Sequence, residues 1–372
     1  MTNKISKDFF TFDEVLCAYM QCRKHKRGTT QAMEYENNFV PKLMKLTNII
    51  NSHKFKIGRY KCFPVTKPKL REVWAAPFKD RIVHHLIHNA LREEFEKHFI
   101  DQTYSCIKGR GTMKCINAAF KGCRSITNNF QSEAFFIKLD IQSFFVSIDK
   151  MILWDILKER VNENCLLAEL IKTVLFQDIT VNPIRVKPVL LEQVPEYKTL
   201  FKTDYKKKGL PIGNLTSQFF SNIYLDGLDQ FCKHRLKLKY YYRYADDILI
   251  LIKDSSEAKH IVSKINEWLL NNRGLTINPK KTIVNRIRHG IKFVGSRLFY
   301  HYKIPSKATF DKIQYICKRF KKDVFNKKIH ASLNSYLGLG RGFNTYLFRA
   351  RVLDKTRLNL IYDNDAKKVV YL

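Results

Sequence analysis

The chain has 372 residues, with 67 Lys and Arg against 34 Asp and Glu, a formal net charge of +33. Hydrophobic residues make up 45% of it and aromatics 13%, which excludes a basic disordered tail and allows about two to three compact units, each with a core. The positive excess points to a polyanionic partner, nucleic acid before membrane: Lys and Arg are spread over the whole chain, and no apolar run approaches the ~18 residues of a spanning helix. The opening "MTNKISKDFFTF" has no apolar signal core. Nine scattered cysteines without a C-x-x-C favour reduced thiols in a cytoplasmic protein over a disulfide framework or zinc ribbon. His84 and His88 would share a helix face, but neither a glutamate nor a third ligand stands by to complete a zinc site.

In chain order, Thr11–Glu14 fits a capping box before a first helix that ends at the basic cluster Arg23–Gly28. A second helical stretch runs to about His53, bent or restarted at Pro41. Residues 57–76 read as two strands around the basic turn Lys67–Lys69, followed by a helix through "DRIVHHLIHNALREEFEKHF". "AFFIKLDIQSFFVSI" reads as a buried strand ending at Asp140, and 150–208 as helix mixed with a Pro- and Lys-containing excursion. Gly209–Phe231 is a glycine turn and a helix. "YRYADDILILIK" is a tight hairpin that forces Asp246 and Asp247 to an exposed turn. Short strands follow near 284 and 291–299. From Ser306 the tail reads as helical, with Phe310, Ile313, Cys317, Phe320 and Val324 on one stripe and lysines off it.

An Asp-Asp turn alone is ordinary. Asp140, a second acid at the end of an apolar strand, changes its meaning: carboxylates brought together from separate strands repel unless a cation sits between them. In a chain this basic, such a site can hold divalent metal and still attract phosphate. Two ions ~3.5–4 Å apart are what in-line phosphoryl displacement requires.

The ordered stretches "KLREVWAAPFKDRIVHHLI", "YSCIKGRGT", "KLDIQSFFVSI", "GLPIGNLTSQFFSNIYL", "YRYADDILIL", "GLTINPKKT" and "KFVGS" resemble the successive motifs of reverse transcriptases, over roughly residues 55–300 plus a thumb-like tail. The resemblance implies an α/β right-hand polymerase with an antiparallel-sheet palm. Residues 1–55 would be an N-terminal helical extension, 56–130 the fingers, 131–305 the palm with a fingers-side insertion at about 150–208, and 306–372 a helical thumb and C-terminal tail.

The resemblance also implies roles. Asp140 and Asp246 are metal ligands, with Asp247 the third acid of the motif and the backbone at Ile141 assisting; the cofactor is two Mg2+ ions, with Mn2+ as an alternative. Arg71, with Lys67 or Lys69, clamps the incoming triphosphate, against the plainer reading of a solvated hairpin tip. Arg81 supports the same finger. Lys281 is the general acid for pyrophosphate, with Lys280 its rival and a surface lysine pair the plain alternative. Phe293, Val294 and Gly295 grip the primer. Phe145, five residues beyond Asp140, stacks under the sugar and excludes a 2′-hydroxyl, against the competing reading of a core ring beside Phe144.

One motif departs from the common Gln-Gly-x-x-x-Ser-Pro: here Ile212, Gly213 and Gln218 stand in "IGNLTSQ" beside the templating base, with Gly213 expected to let the backbone approach a nucleotide. The replacement resembles the enzymes of diversity-generating retroelements, as do the N-terminal region and Ser335–Val352. The implied function is error-prone, RNA-directed synthesis of cDNA from a structured template RNA and dNTPs, with a small basic accessory protein as a further partner and no membrane. A phage-defence reverse transcriptase acting on its own noncoding RNA is the alternative. A group II intron maturase is disfavoured because no maturase-specific or endonuclease region follows the thumb, and a catalytically idle RNA-binding scaffold because all three acids are intact.

Overall fold

Thr11 Oγ1 accepts from Glu14 N at 3.2 Å and Glu14 Oε2 from Thr11 N at 2.9 Å, so the first helix opens with the expected reciprocal cap. The computed structural model describes residues 4–371 apart from 25, 68, 321–326, 341, 355–359 and 364–367. Val324 therefore lies outside the described residues, as do the side chains of Cys317 and Phe320 on the same predicted stripe.

The chain begins with α1 (Phe12–Arg23), α2 (Thr30–Glu36), α3 (Phe39–Asn51), β1 (Lys61–Val65), β2 (Arg71–Ala75), α4 (Phe78–Glu96) and α5 (Thr112–Ile126). Next come β3 (Phe135–Asp140), α6 (Phe144–Ser147), α7 (Lys150–Lys158), α8 (Leu166–Phe176), β4 (Ile184–Arg185), α9 (Pro188–Glu192) and α10 (Leu215–Gln230). Then follow β5 (Tyr240–Tyr244), β6 (Asp247–Ile252), α11 (Glu257–Arg273), β7 (Ile283–Arg286), β8 (Ile291–Phe293), β9 (Ser296–Leu298) and β10 (Lys303–Pro305). The last elements are α12 (Lys307–Phe320), α13 (Lys327–Gly340), α14 (Tyr346–Asp354), β11 (Leu360–Asp363) and β12 (Lys368–Tyr371). Among the described residues no helix is long and apolar enough to cross a membrane.

Two units divide these elements. The first comprises 1–108, 140–238 and 261–280. Here α1 buries Val15, Ala18, Tyr19 and Cys22, packing on α3 and α4. The break between α2 and α3 falls at Asn38, whose φ of 58° is left-handed, and not at Pro41. Pro41 sits in the first turn of α3, where a missing N–H costs no helical hydrogen bond. A three-stranded sheet runs β2-β1-β4; β1 and β2 pair antiparallel from Lys61 opposite Ala75 to Val65 opposite Arg71, and β4 joins in parallel. Helix α10 packs on α4 and α7. Both nitrogens of buried His84 are engaged, Nδ1 with Thr216 Oγ1 at 2.7 Å and Nε2 with Tyr60 Oη at 3.1 Å, and burial depresses its pKa to about 3. It is a satisfied core histidine.

The second unit comprises 109–139, 239–260 and 281–372. Its four-stranded sheet has the order β5-β6-β3-β7, with α5 packed on β5 and β6. The apolar run Ile248–Leu251 explains the centre of the sheet: all four residues are buried. Strands β8, β9 and β10 form a second antiparallel sheet, and α12 packs on α13. The end of the chain is not helical throughout, as the sequence suggested. β11 and β12 pair antiparallel, in segments whose aromatic and β-branched residues favour strand over helix.

Candidate active site

Asp140 closes β3, at the point where the chain passes into the first unit, and Asp247 opens the neighbouring strand β6. Within the second unit, Lys138 Nζ lies 3.2 Å from Asp247 Oδ1. Residues i and i+2 of a strand share a face, so Lys138 and Asp140 emerge on the same side of β3. The hairpin is tighter than predicted. Asp247 is not in the turn but pairs with Tyr244, leaving Ala245 and Asp246 as the two turn residues; both acids are half-buried. Ala245 takes a φ of 54°, and a positive φ at the first of two turn positions suits the twist of the flanking strands. For a residue with a Cβ that conformation is strained, and the paired strands on either side hold it.

In the same unit β8 and β9 are joined through Val294 and Gly295, with φ of 44° and 69°, the two positive values of a type I′ turn. Phe293 is buried below the turn, and Gly295 O accepts from Ser306 N at 2.9 Å, which ties it to the start of α12. A cleft of about 560 Å³ lies beside it, lined by Asp247 and the cations Lys138, Lys292, Arg297 and Lys307. One acid among four cations suits a phosphate backbone running past a carboxylate.

The residues predicted to contact nucleotide lie in the first unit, and the segment 199–213 links them. Leu210 N donates to Phe145 O at 2.7 Å, and Trp74 N on β2 donates to Ile212 O at 2.8 Å. Phe144 is buried, whereas Phe145 is half-exposed with its ring edge-on to Phe144 at 5.3 Å. The core position belongs to Phe144. At Gly213 a Cβ would meet Trp74 O at 2.8 Å and Val73 Cγ1 at 2.9 Å, with φ at 122°. Packing against strand β2 is therefore a reason for glycine here in its own right, beside the expected approach of a nucleotide.

Lys67, Lys69 and Arg71 are exposed on and beside the β1–β2 turn. Arg81 Nε donates to Ala76 O at 2.7 Å and its Nη2 to Gln31 Oε1 at 3.3 Å, fixing the junction of β2 and α4. Gln218 is exposed on α10 and accepts from Cys106 Sγ at 3.3 Å. Lys280 and Lys281 are exposed in a 3₁₀ turn before β7. Ile141 is buried and bridges to Ile277.

Sequence reasoning missed two residues, Lys138 and Glu72. The signal for Lys138 was its two-residue spacing from Asp140 in an otherwise apolar strand. For Glu72 it was an acid alternating with Trp74 on a strand, hence on that strand's inward face.

Among the described residues no three Asp, Glu, His or Cys side chains form a ready-made metal cage. A hard divalent ion does not need one, since one or two carboxylates suffice where substrate phosphates supply further oxygens. Asp140, Asp246 and Asp247, with the Ile141 carbonyl, are donors of that kind, and the ammonium on Asp247 marks a carboxylate that already attracts a cation.

Residues 64–298, more than half of the chain, match the family described as reverse transcriptase (RNA-dependent DNA polymerase). A curated relative, the COX1/OXI3 intron 2 protein of Saccharomyces cerevisiae, is 24% identical over 310 residues, which cover 68% of this chain and 33% of that protein. The chain thus spans about a third of the length of this relative.

Proposed function

We propose that this chain, which belongs to the reverse transcriptase (RNA-dependent DNA polymerase) family, copies a specific RNA into cDNA at Asp140, Asp246 and Asp247. The observation that carries the reading is the pair of neighbouring strand ends, β3 closing on Asp140 and β6 opening on Asp247 behind Asp246. The donor set suits two divalent ions, Mg2+ first, which when bound activate the primer hydroxyl and stabilise the leaving phosphate oxygens. In this reading 56–130 serve as fingers, 131–305 as palm, 306–372 as thumb and 1–55 as an N-terminal extension.

The side chains do the rest. Arg71 with Lys67 and Lys69 neutralises the triphosphate, and Arg81 holds the base of that finger. Phe145 places its ring where a 2′-hydroxyl would fall. Lys281, or Lys280 beside it, donates the proton that the leaving pyrophosphate takes up. Phe293, Val294 and Gly295 hold the primer strand, and the cations of the adjoining cleft neutralise its phosphates.

We further propose that synthesis is error-prone, as in diversity-generating retroelements, with a small basic accessory protein as an additional partner. Support comes from Ile212: its carbonyl is taken by Trp74 N, and its side chain offers bulk without a hydrogen bond near the nascent pair. Losing one such interaction is worth about 0.5–1.5 kcal/mol, roughly a several-fold change in error frequency. Ile212→Gln should lower misincorporation opposite template adenine several-fold without abolishing synthesis, read by sequencing cDNA made by both proteins on one template. Equal and faithful copying of adenines by both would remove the error-prone reading. The name of the yeast relative favours a second reading, an intron-encoded enzyme whose template is its own intron RNA; faithful copying would favour that, or a defence role on a noncoding RNA.

A further inference from the structure

Glu72 is 3% exposed, and its carboxylate is fully engaged. Oε1 accepts from Trp74 Nε1 at 3.0 Å and from Leu200 N at 2.6 Å, while Oε2 accepts from Thr199 Oγ1 at 2.6 Å. Phe201 adds a ring contact to Trp74 at 5.0 Å. These contacts fasten residues 199–201 to the face of β2 that carries Glu72 and Trp74. Strand alternation puts Arg71 and Val73 on the other face, and Val73 is the side chain that crowds Gly213.

The fastened segment does not stop there. At 207–210 it pairs with α6, which carries Phe145, and with the start of α7, through Lys150 N to Lys207 O (2.8 Å), Gly209 N to Ile148 O (2.8 Å) and Leu210 N to Phe145 O (2.7 Å). Two residues later Ile212 O returns to Trp74 N. One continuous stretch, 199–213, thus meets β2 twice and the Phe145-bearing α6 segment between. The β2-β1-β4 sheet is small, β4 being only two residues long, and the β1–β2 tip carries three exposed cations, so its position depends on what backs it.

We propose that Glu72 is a positioning residue for the nucleotide pocket: by fastening 199–213 to β2 it sets Arg71, Phe145 and Ile212–Gly213 relative to one another. The inference rests on the nucleotide-contact roles given above for those residues. Losing the carboxylate leaves three buried donors without their acceptor and lets the segment shift, and small misplacements of a positioning group cost up to about 100-fold in rate.

The test is steady-state primer extension on one primed RNA, with KM for dNTP and kcat measured for Arg71→Ala, Glu72→Leu, Glu72→Gln, Thr199→Val and the Arg71→Ala/Glu72→Leu double variant. Expected are a KM about tenfold higher for Glu72→Leu with kcat changed less than about threefold, a smaller rise for Thr199→Val, and near-recovery in Glu72→Gln, whose amide oxygen still accepts. The double variant should raise KM by less than the product of the two single effects, because Glu72 acts partly through Arg71. If Arg71→Ala leaves KM unchanged, the nucleotide-contact reading fails and the proposal with it. If Arg71→Ala raises KM while Glu72→Leu and Thr199→Val do not, or the effects simply add, the proposal alone is overturned. Should Glu72→Leu fail to fold, Thr199→Val decides: an unchanged KM overturns the proposal, and a raised KM at constant kcat supports it.

Discussion

Phe144 and Phe145 are chemically the same residue one position apart, and the short helix α6 gives them different environments. Phe144 faces the core, while Phe145 keeps part of its ring in solvent and its carbonyl on Leu210. Burial of Phe144 accounts for the structural need of an aromatic here, which leaves the Phe145 ring available for the sugar discrimination proposed above. Phe145→Ala should therefore fold, and should raise the ratio of ribonucleotide to deoxynucleotide incorporation by about 10- to 100-fold. An unchanged ratio would show that the ring does not face the sugar. Gly213 teaches the converse. A glycine in such a motif invites a ligand-based explanation, yet a Cβ at this position would meet the Trp74 carbonyl oxygen at 2.8 Å, which calls for glycine whether or not nucleotide is bound.

At the scale of elements, α7 begins with a lysine that has no business in a core. Lys150 is fully buried, its Nζ lies 3.3 Å from the centroid of the Tyr205 ring, and burial pulls its pKa down to about 7 against the partial offset of Asp178 and Asp204. The unfolded chain holds this proton up to about pH 10.4, so between about pH 7 and that value the unfolded state binds more protons than the folded one. Stability contributed at this site therefore rises with pH across that window and is flat below it. Lys150→Met should stabilise the protein by about 1–4 kcal/mol at pH 7, with the advantage shrinking toward pH 10. Denaturant melts of both proteins at the two pH values check this, and a gap independent of pH would contradict it. Local chemistry made much of the element order legible: the Thr11 cap, the apolar run after Asp247 and the β1–β2 turn each carry their own signal. The Asn38 break did not, because Pro41 is the louder residue although harmless in a first turn. The Asp-Asp turn was misplaced by one residue, because Ala245 accepts a positive φ that sequence alone assigns to Gly or Asn.

For the whole molecule, what could be read from the sequence depended on distance along the chain. Asp140, Asp246 and Asp247 stand out because acids interrupting apolar strands of a +33 chain demand a cation. The support around the residues proposed to contact nucleotide does not stand out, because Glu72 and Thr199 are 127 positions apart and nothing in either neighbourhood announces the other. The proposed function divides the labour by charge: it assigns RNA binding to many cations acting on phosphates and the chemistry to three acids, so the two should be separable by mutation. The most direct test is extension of a DNA primer on an RNA template, with RNA binding measured in parallel at the same salt, for the unmodified protein, Asp246→Ala and Asp140→Asn. Extension should require a divalent ion and fall by at least about 10³-fold in both variants while RNA affinity stays within about threefold. Undiminished extension by both variants, or none by the unmodified protein with Mg2+ or Mn2+ present, would contradict the account.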